Sequence, residues 1–388
     1  MNLNGETSRW YKLQNGLPQG STLSCILYNL YVHDLPKSKA RKFLYADDKA
    51  YAFQAKKFEK RSTTLTDELR PYSEFCRHWR LQPSISKTVV SSFHLDNGLA
   101  RAPPLNVMLD DQPLRYDPEP KYLGVTLDRS LTFKKHLTDV AAKLSTRNNI
   151  IQKLANSSRG ADAQCLKISA QGLVYSSGEY CAPAWMNSTH TKKVDTQLNR
   201  TMRIMTGTVK STPATWLLAL CGILPPDIRR KCALIREYTK ISNNELLPVH
   251  SDIEKSPRKR LKSRRPPLEL AKELVDQNFD PGTEWLTRWS ASGLSSPLYD
   301  PGGDRRPEMH LKRRAWCSLN RLRTQHGRSN DMLFRWKMKD SPRCECGADR
   351  QMMGHIINDC PLFRYDGDLT DILEASPNAI RWLTNLNI

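Results

Sequence analysis

The chain has 388 residues, enough for two or three domains, and its 60 Lys and Arg against 40 Asp and Glu leave a formal net charge of +20. A surplus of that size favours a polyanionic partner, either nucleic acid or an anionic membrane. No window approaches the ~18 apolar residues of a membrane span, and Met1–Glu6 holds no apolar signal core, which argues against a spanning or secreted protein and leaves nucleic acid. Hydrophobic content of 39% is low for one globule and points to basic loops or tails. Of the ten cysteines only Cys344, Cys346 and Cys360 cluster, which suits a reduced compartment with one metal site and not a disulfide framework.

Taken in order, residues 7–14 alternate weakly and predict a strand. The turn-rich Asn15-Gly16-Leu17-Pro18-Gln19-Gly20-Ser21 follows. Leu23, Ile26, Leu27 and Leu30 then fall at helical spacing, with Ser21 as N-cap. A Gly-containing loop that opens onto a helix N-terminus suits an anion, and is also an ordinary junction. Phe43-Leu44-Tyr45-Ala46-Asp47-Asp48, followed by Lys49-Ala50-Tyr51-Ala52-Phe53, predicts a β-hairpin with two aspartates at or beside its tip. Adjacent carboxylates repel each other. They are either a solvated turn or ligands for a divalent cation between protein and substrate.

Residues 58–81 predict a helix on Leu65, Leu69, Phe75 and Trp79, kinked or split at Pro71. Trp79–Thr88 turns into a strand over Val89–Leu95, and further strands are expected over Leu105–Leu109 and Lys121–Leu127. Strands alternating with helices make residues 12–127 an α+β sheet domain. From 131 to 245 the periods are helical, on Leu137, Val140, Ala141 and Leu144 and later on Val194, Leu198, Met202 and Met205, punctuated by prolines. Residues 250–310 are rich in Pro, Gly, Ser and charge, and Lys255–Arg265 holds seven basic residues in eleven. That run is a linker, a nucleic-acid contact or an import signal. Lys312–Arg323 predicts a cationic helix carrying Trp316, either a base-stacking residue or a core anchor.

Cys344-Glu345-Cys346, His355 and Cys360 are spaced C-x-C-x8-H-x4-C. Three thiolates and one imidazole make the closed tetrahedral set of a structural Zn²⁺ site. Arg343, Arg350, Trp336 and Phe363 around it suit nucleic-acid contact.

Gly16-Leu17-Pro18-Gln19-Gly20-Ser21, Tyr45-Ala46-Asp47-Asp48 and Tyr122-Leu123-Gly124-Val125 occur in this order, with compatible elements between them. With them the chain resembles a reverse transcriptase of jockey-like non-LTR retrotransposons. The likeness continues through Glu179–Trp185, Gly222–Pro225 and the cysteine cluster. The resemblance implies an α+β fold. Residues 1–130 would be a partial polymerase palm, an antiparallel sheet with helices. Residues 131–250 would be a helical thumb and 251–305 a basic linker. Residues 306–388 would be a basic segment with a small zinc knuckle. It implies Asp47 as the Mg²⁺-binding aspartate and Asp48 as its less directly involved neighbour. Pro18, Gln19, Gly20, Ser21 and Tyr45 would pack on the templating pair and nucleotide. Tyr122, Leu123 and Gly124 would grip the primer, and Lys87 would act on the leaving pyrophosphate. The implied reaction is RNA-templated DNA synthesis, with RNA template, DNA primer or target and dNTP as partners, in the nucleus after cytoplasmic synthesis.

One departure qualifies the resemblance. The family's palm carries a further metal-binding aspartate upstream of the Gln-Gly loop, yet the sixteen residues before Leu17 hold only Glu6 as an acid. The chain therefore reads as the C-terminal part of a longer polyprotein, lacking fingers and endonuclease, with an incomplete metal site and no polymerisation by itself. The alternative is a non-catalytic nucleic-acid-binding remnant that works through its basic surface and zinc knuckle.

Overall fold

The computed structural model describes residues 2–3, 6–7, 9, 12, 20–54, 59–98, 104–156, 160–255, 266–299, 307–386 and 388. Pro18, Gln19 and residues 256–265 of the basic run lie outside them. The chain divides into two compact units, Met1–Leu131 and Thr132–Ile388.

In the first unit, β1 (Asn2–Leu3) pairs with β2 (Glu6–Thr7), and α1 spans Thr22–Tyr31. The predicted strand over 7–14 is therefore strand only at Thr7 among its described residues. β3 (Arg41–Tyr45) and β4 (Asp48–Ala52) form the expected antiparallel hairpin. α2 runs unbroken over Glu59–His78 with Pro71 inside it, so the expected split at the proline does not occur. Proline removes one backbone hydrogen bond, and packing on both sides of it holds the helix together. Leu65, Leu69 and Tyr72 lie against a small core of Val90, Leu105, Val107, Leu109 and Leu114, and Phe75 and Cys76 are buried.

The remaining strands are shorter than the sequence suggests. β5 (Val89–Val90) runs parallel to β8 (Arg115–Tyr116), and β6 (Met108–Leu109) is antiparallel to β7 (Gln112–Pro113). β9 (Lys121–Tyr122) is antiparallel to β10 (Val125–Thr126). The described strands thus pair two by two, one pair parallel, where one antiparallel sheet was expected.

The second unit is helical. In α3 (Lys134–Leu154) the side chains of Leu137, Leu144 and Ile151 are fully buried at seven-residue spacing, one stripe of a helix. It packs on α7 (Lys192–Thr206) through Val194, Leu198, Met202 and Met205. Between them lie α4 (Ala163–Ala170), a wider turn over Gln171–Tyr175, α5 (Ser176–Gly178) and α6 (Ala182–Trp185). The family-like stretch at 179–185 serves this core: Trp185 is buried, donates to the Tyr180 carbonyl at 2.9 Å, and follows Glu179, which accepts a paired contact from Arg229.

α8 (Ala214–Cys221) leads into α9 (Pro226–Ser242) and α10 (Val249–Lys255). The stretch expected to be a linker contains two packed helices, α11 (Pro267–Asp276) and α12 (Pro281–Ala291). Proline at the first helical turn favours a start and does not prevent one. Ala271 and Leu274 are buried, and Trp289 meets Trp216 edge-on at 5.1 Å. A further core joins α13 (Arg313–Thr324) to the C-terminal helices α15 (Leu369–Leu373) and α16 (Pro377–Asn385). Trp316 is an anchor of that core and not a free stacking surface: it is 2% exposed and donates to the Met205 carbonyl at 3.0 Å. No described helix is long and apolar enough to cross a membrane.

Candidate functional site

The aspartate hairpin is built from its turn outward. Tyr45 pairs with Asp48, so Ala46 and Asp47 form a two-residue loop and Asp48 opens β4. Ala46 takes φ +49°, the sense that matches two-residue loops to the twist of their strands. An L residue there is strained by roughly 1 kcal/mol, and Ala46 persists because the flanking ladder fixes it. Tyr45, Asp47 and Asp48 are all exposed. Neither carboxylate has a hydrogen-bond or ion-pair partner among the described residues. The second Asp-Asp pair of this unit differs. Asp110 and Asp111 form the β6–β7 turn, where Asp110 accepts from Ser73 and pairs with Arg77 at 3.6 Å.

Two tyrosines show what surrounds the tip. Burial, and then the charge of Asp47, push up the hydroxyl pKa of Tyr28 on α1. Burial, and then the charge of Asp48, do the same to Tyr122 in the β9–β10 hairpin. The aspartate tip is therefore within electrostatic reach of both Tyr28 on α1 and Tyr122. Neither tyrosine contact was read from the sequence. Tyr28 shares α1 with Ser21, and its position on the helix was the only clue.

Gly20 takes φ +88°, a backbone that L side chains rarely adopt, and no atom lies within 4 Å of where its Cβ would be. Its conformation, not a close neighbour, accounts for the glycine among the described residues. Ser21 occupies the N-cap position of α1 but its hydroxyl makes no capping bond, so the expected cap is positional only. The predicted apolar stripe of α1 is a helix face, yet Leu23, Ile26, Leu27 and Leu30 are exposed. Leu123 and Gly124 form the β9–β10 turn at φ +44° and +81°. Lys87 is exposed in the turn before β5, and no ion pair ties it to Asp47 or Asp48 among the described residues.

The second site lies in Thr132–Ile388. The donor atoms of Cys344, Cys346, His355 and Cys360 all fall within 4.8 Å of one another. Cys346 Sγ is 3.2 Å from His355 Nε2, and Cys344 Sγ is 3.6 Å from Cys360 Sγ. Ligands about 2.3 Å from a tetrahedral ion stand about 3.5–3.8 Å apart, so the set fits Zn²⁺ in distance and in chemistry. The tight C-x-C interval closes through Gly347 N–H to the Cys344 carbonyl and Cys344 N–H to the Ala348 carbonyl. His355 starts a wide turn whose last bond, Cys360 N–H to the His355 carbonyl, brings the fourth ligand back. Ile356 and Ile357 of that turn are buried in the C-terminal core, which fixes the ligands to the fold.

Burial raises the Cys344 thiol. The Cys346 N–H and the Gln351, Cys346 and His355 side chains together outweigh it and hold its pKa at about 7. Gln351, which the sequence reading passed over, donates to Cys344 Sγ at 3.4 Å and to Glu345 at 2.9 Å. Its place between the cysteine pair and the histidine was the available clue. The expected nucleic-acid contacts around the knuckle are partly spent on the fold: Phe363 packs on the C-terminal core and Arg350 is bound to buried Asp331.

Comparison with known proteins bears on the first unit. Residues 1–127 match the family described as reverse transcriptase (RNA-dependent DNA polymerase). The chain is 30% identical over 207 residues to the probable RNA-directed DNA polymerase from transposon X-element of Drosophila melanogaster, covering 50% of this chain and 22% of that protein. It is 27% identical over 282 residues to the RNA-directed DNA polymerase from mobile element jockey of Drosophila funebris, covering 65% and 29%. It is 23% identical over 376 residues to the Pol polyprotein from the type-1 retrotransposable element R1 of Bradysia coprophila, covering 92% and 35%. The aligned region thus spans about a quarter to a third of these curated relatives. No solved structure matches the chain. The jockey-like reverse transcriptase resemblance is borne out, and the β3–β4 hairpin lies within the matched residues.

Proposed function

We propose that this chain takes part in RNA-templated DNA synthesis for a non-LTR retrotransposon, by two-metal transfer of nucleotides to a primer 3′-hydroxyl. The observation that carries the reading is the β3–β4 tip, which presents Asp47 and Asp48 unpaired within the segment matched to reverse transcriptases. Exposed carboxylates are hard oxygen donors and fit Mg²⁺, which keeps several waters. Held by Asp47 and Asp48, such ions would lower the pKa of the attacking hydroxyl and neutralise charge at the phosphorus.

The chain's own residues do the positioning. The strained loop at Ala46 holds the Asp47 carboxylate at the tip, and the pairing of Asp48 with Tyr45 fixes its neighbour. Pro18, Gln19, Gly20 and Ser21 serve the templating pair and nucleotide, and the uncapped N-terminus of α1 suits a phosphate. Tyr122, Leu123 and Gly124 hold the primer end, and Lys87 stabilises the leaving pyrophosphate. Residues 131–250 act as the thumb. The C-terminal knuckle holds Zn²⁺, and the basic run Lys255–Arg265 contacts nucleic acid or directs nuclear import.

A second reading has its own observation. The formal net charge of +20 suits a polyanion whether or not a primer is extended. On that basis this polypeptide binds nucleic acid without catalysing its extension. The test is primer extension on primed RNA with Mg²⁺, by residues 1–388 and by a chimaera in which this chain replaces the aligned region of the jockey relative. The proposal expects Mg²⁺-dependent extension by at least one of the two, lost on Asp47→Ala. No extension from either protein would favour the binding reading.

A further inference from the structure

A cavity of about 630 Å³ opens in the second unit, between the end of α3, the end of α7 with the loop after it, and α13. Six of its lining residues are cations: Lys153, Arg200, Arg203, Lys210, Arg313 and Arg321. No Asp or Glu lines it. Lys153, Arg200, Arg203, Lys210 and Arg313 form no ion pair with a carboxylate among the described residues, while Arg321 meets the main-chain oxygen of the last residue, Ile388. This sets them apart from Arg229 and Arg230 of the same unit, which are matched to Glu179 and Asp195.

The cations are arranged in two layers. Lys153, Arg200 and Lys210 are exposed at the rim. Arg313 is buried on the floor, where it donates to the carbonyls of Met205 and Ile204 at the end of α7, and Arg321 donates to the Gly207 carbonyl and to the main-chain oxygen of the last residue, Ile388. Arg203 donates one bond to the Thr212 carbonyl, but its Nε–H is buried with no hydrogen-bond partner. A buried, unsatisfied guanidinium donor is costly and calls for an acceptor. Burial also lowers the pKa of Arg203, Arg313 and Arg321.

We propose that this cavity is a phosphodiester-binding site that holds the backbone of a single nucleic-acid strand. The floor guanidiniums face one phosphate, and the rim cations accept its neighbours along the strand. No aromatic side chain lines the cavity, so bases are not stacked there and contact is to the backbone, without sequence preference. The site lies outside the segment matched to reverse transcriptases. It rests on the reading that the partner is a nucleic acid, but not on polymerase activity.

The test uses the full chain and a fluorescent 20-nucleotide single-stranded RNA, with affinity measured by anisotropy from 0.05 to 0.3 M salt. The variant replaces the three rim cations, Lys153→Gln, Arg200→Gln and Lys210→Gln. A control removes the same charge at exposed positions off the cavity, Lys192→Gln, Lys272→Gln and Arg381→Gln. The site predicts at least about tenfold weaker binding near 0.1 M salt for the rim variant, and a salt slope shallower by about two, with the control little changed. It also predicts that the strand protects Lys153 and Lys210 of the wild-type protein from acetylation. Equal slopes for variant and control, or no protection, would overturn the site while leaving the nucleic-acid reading intact. Failure of the wild-type protein to bind any strand would overturn both. Protection by inorganic pyrophosphate that the strand cannot displace would overturn it in favour of a free polyphosphate ligand.

Discussion

Cys346 Sγ lies 3.2 Å from His355 Nε2, nine residues along the chain, and the turn that brings them together is rooted by Ile356 and Ile357 in the C-terminal core. Metal binding and folding are coupled in such a site. Protein purified without chelator is expected to carry one zinc per chain by elemental analysis. Cys360→Ser is expected to lose the metal and lower the thermal midpoint of the second unit. Full stability in the zinc-free protein would count against a structural metal.

Gln351 is the outer support of that site. Its bond to Cys344 Sγ helps hold the Cys344 pKa at about 7, below the ordinary thiol value of 9. A depressed pKa stabilises the folded site fully above the ordinary value, and that stability is lost as pH falls through about 7. In zinc-free protein, Gln351→Leu is expected to move the alkylation profile of Cys344 to higher pH. It is also expected to weaken zinc binding by about tenfold. An unchanged profile would remove Gln351 from the site.

Arg230, 4% exposed, donates two bonds to Asp195 at 2.8 and 2.9 Å. Asp195→Ala leaves a buried guanidinium without its partner and is expected to cost about 3–5 kcal/mol in denaturant unfolding. The double variant Asp195→Ala/Arg230→Met is expected to recover much of that loss. A loss below about 1 kcal/mol for the single variant would show that the pair is dispensable.

Glu68 on α2 accepts from Ser38 Oγ and Lys39 N–H, both at 2.7 Å, and so ties down the segment that leads into the aspartate hairpin. The Ser38 bond, followed by those of the Lys39 and Ala40 amides, lowers its pKa. Its contribution is full above the usual carboxylate value of 4.5 and is lost as pH falls through the lower folded value. Hydrogen exchange at the Lys39 amide is expected to quicken in that acid range, and at neutral pH in Glu68→Gln. Equal protection in both proteins at neutral pH would contradict this.

Much of the site was legible in the sequence because it is local. Tyr45-Ala46-Asp47-Asp48 fixes its own turn, and Cys344, Cys346, His355 and Cys360 fall within seventeen residues. The Leu137, Leu144 and Ile151 stripe was legible for the same reason. What failed depends on distant partners. The α1 stripe has helical period but is exposed, because period fixes a face and not what covers it. Helices α11 and α12 were hidden by their proline-rich surroundings, while Ala271, Leu274 and Trp289 find cover on other helices. The basic cavity draws on residues from Lys153 to Arg321, and no window of sequence joins them.

Ala46 at φ +49° gives a direct handle on the hairpin. Ala46→Gly is expected to stabilise the first unit by up to about 1 kcal/mol, and Ala46→Val to destabilise it by at least as much. The opposite order in thermal unfolding would show that the turn is not formed as described.

The central claim is that Asp47 sits at the metal-holding tip of a polymerase palm. Primer extension by this chain, alone and in place of the aligned region of the jockey relative, tests it most directly. The account predicts Mg²⁺-dependent extension on primed RNA, reduced on the order of 10²-fold or more by Asp47→Ala. Extension that survives Asp47→Ala undiminished would contradict it.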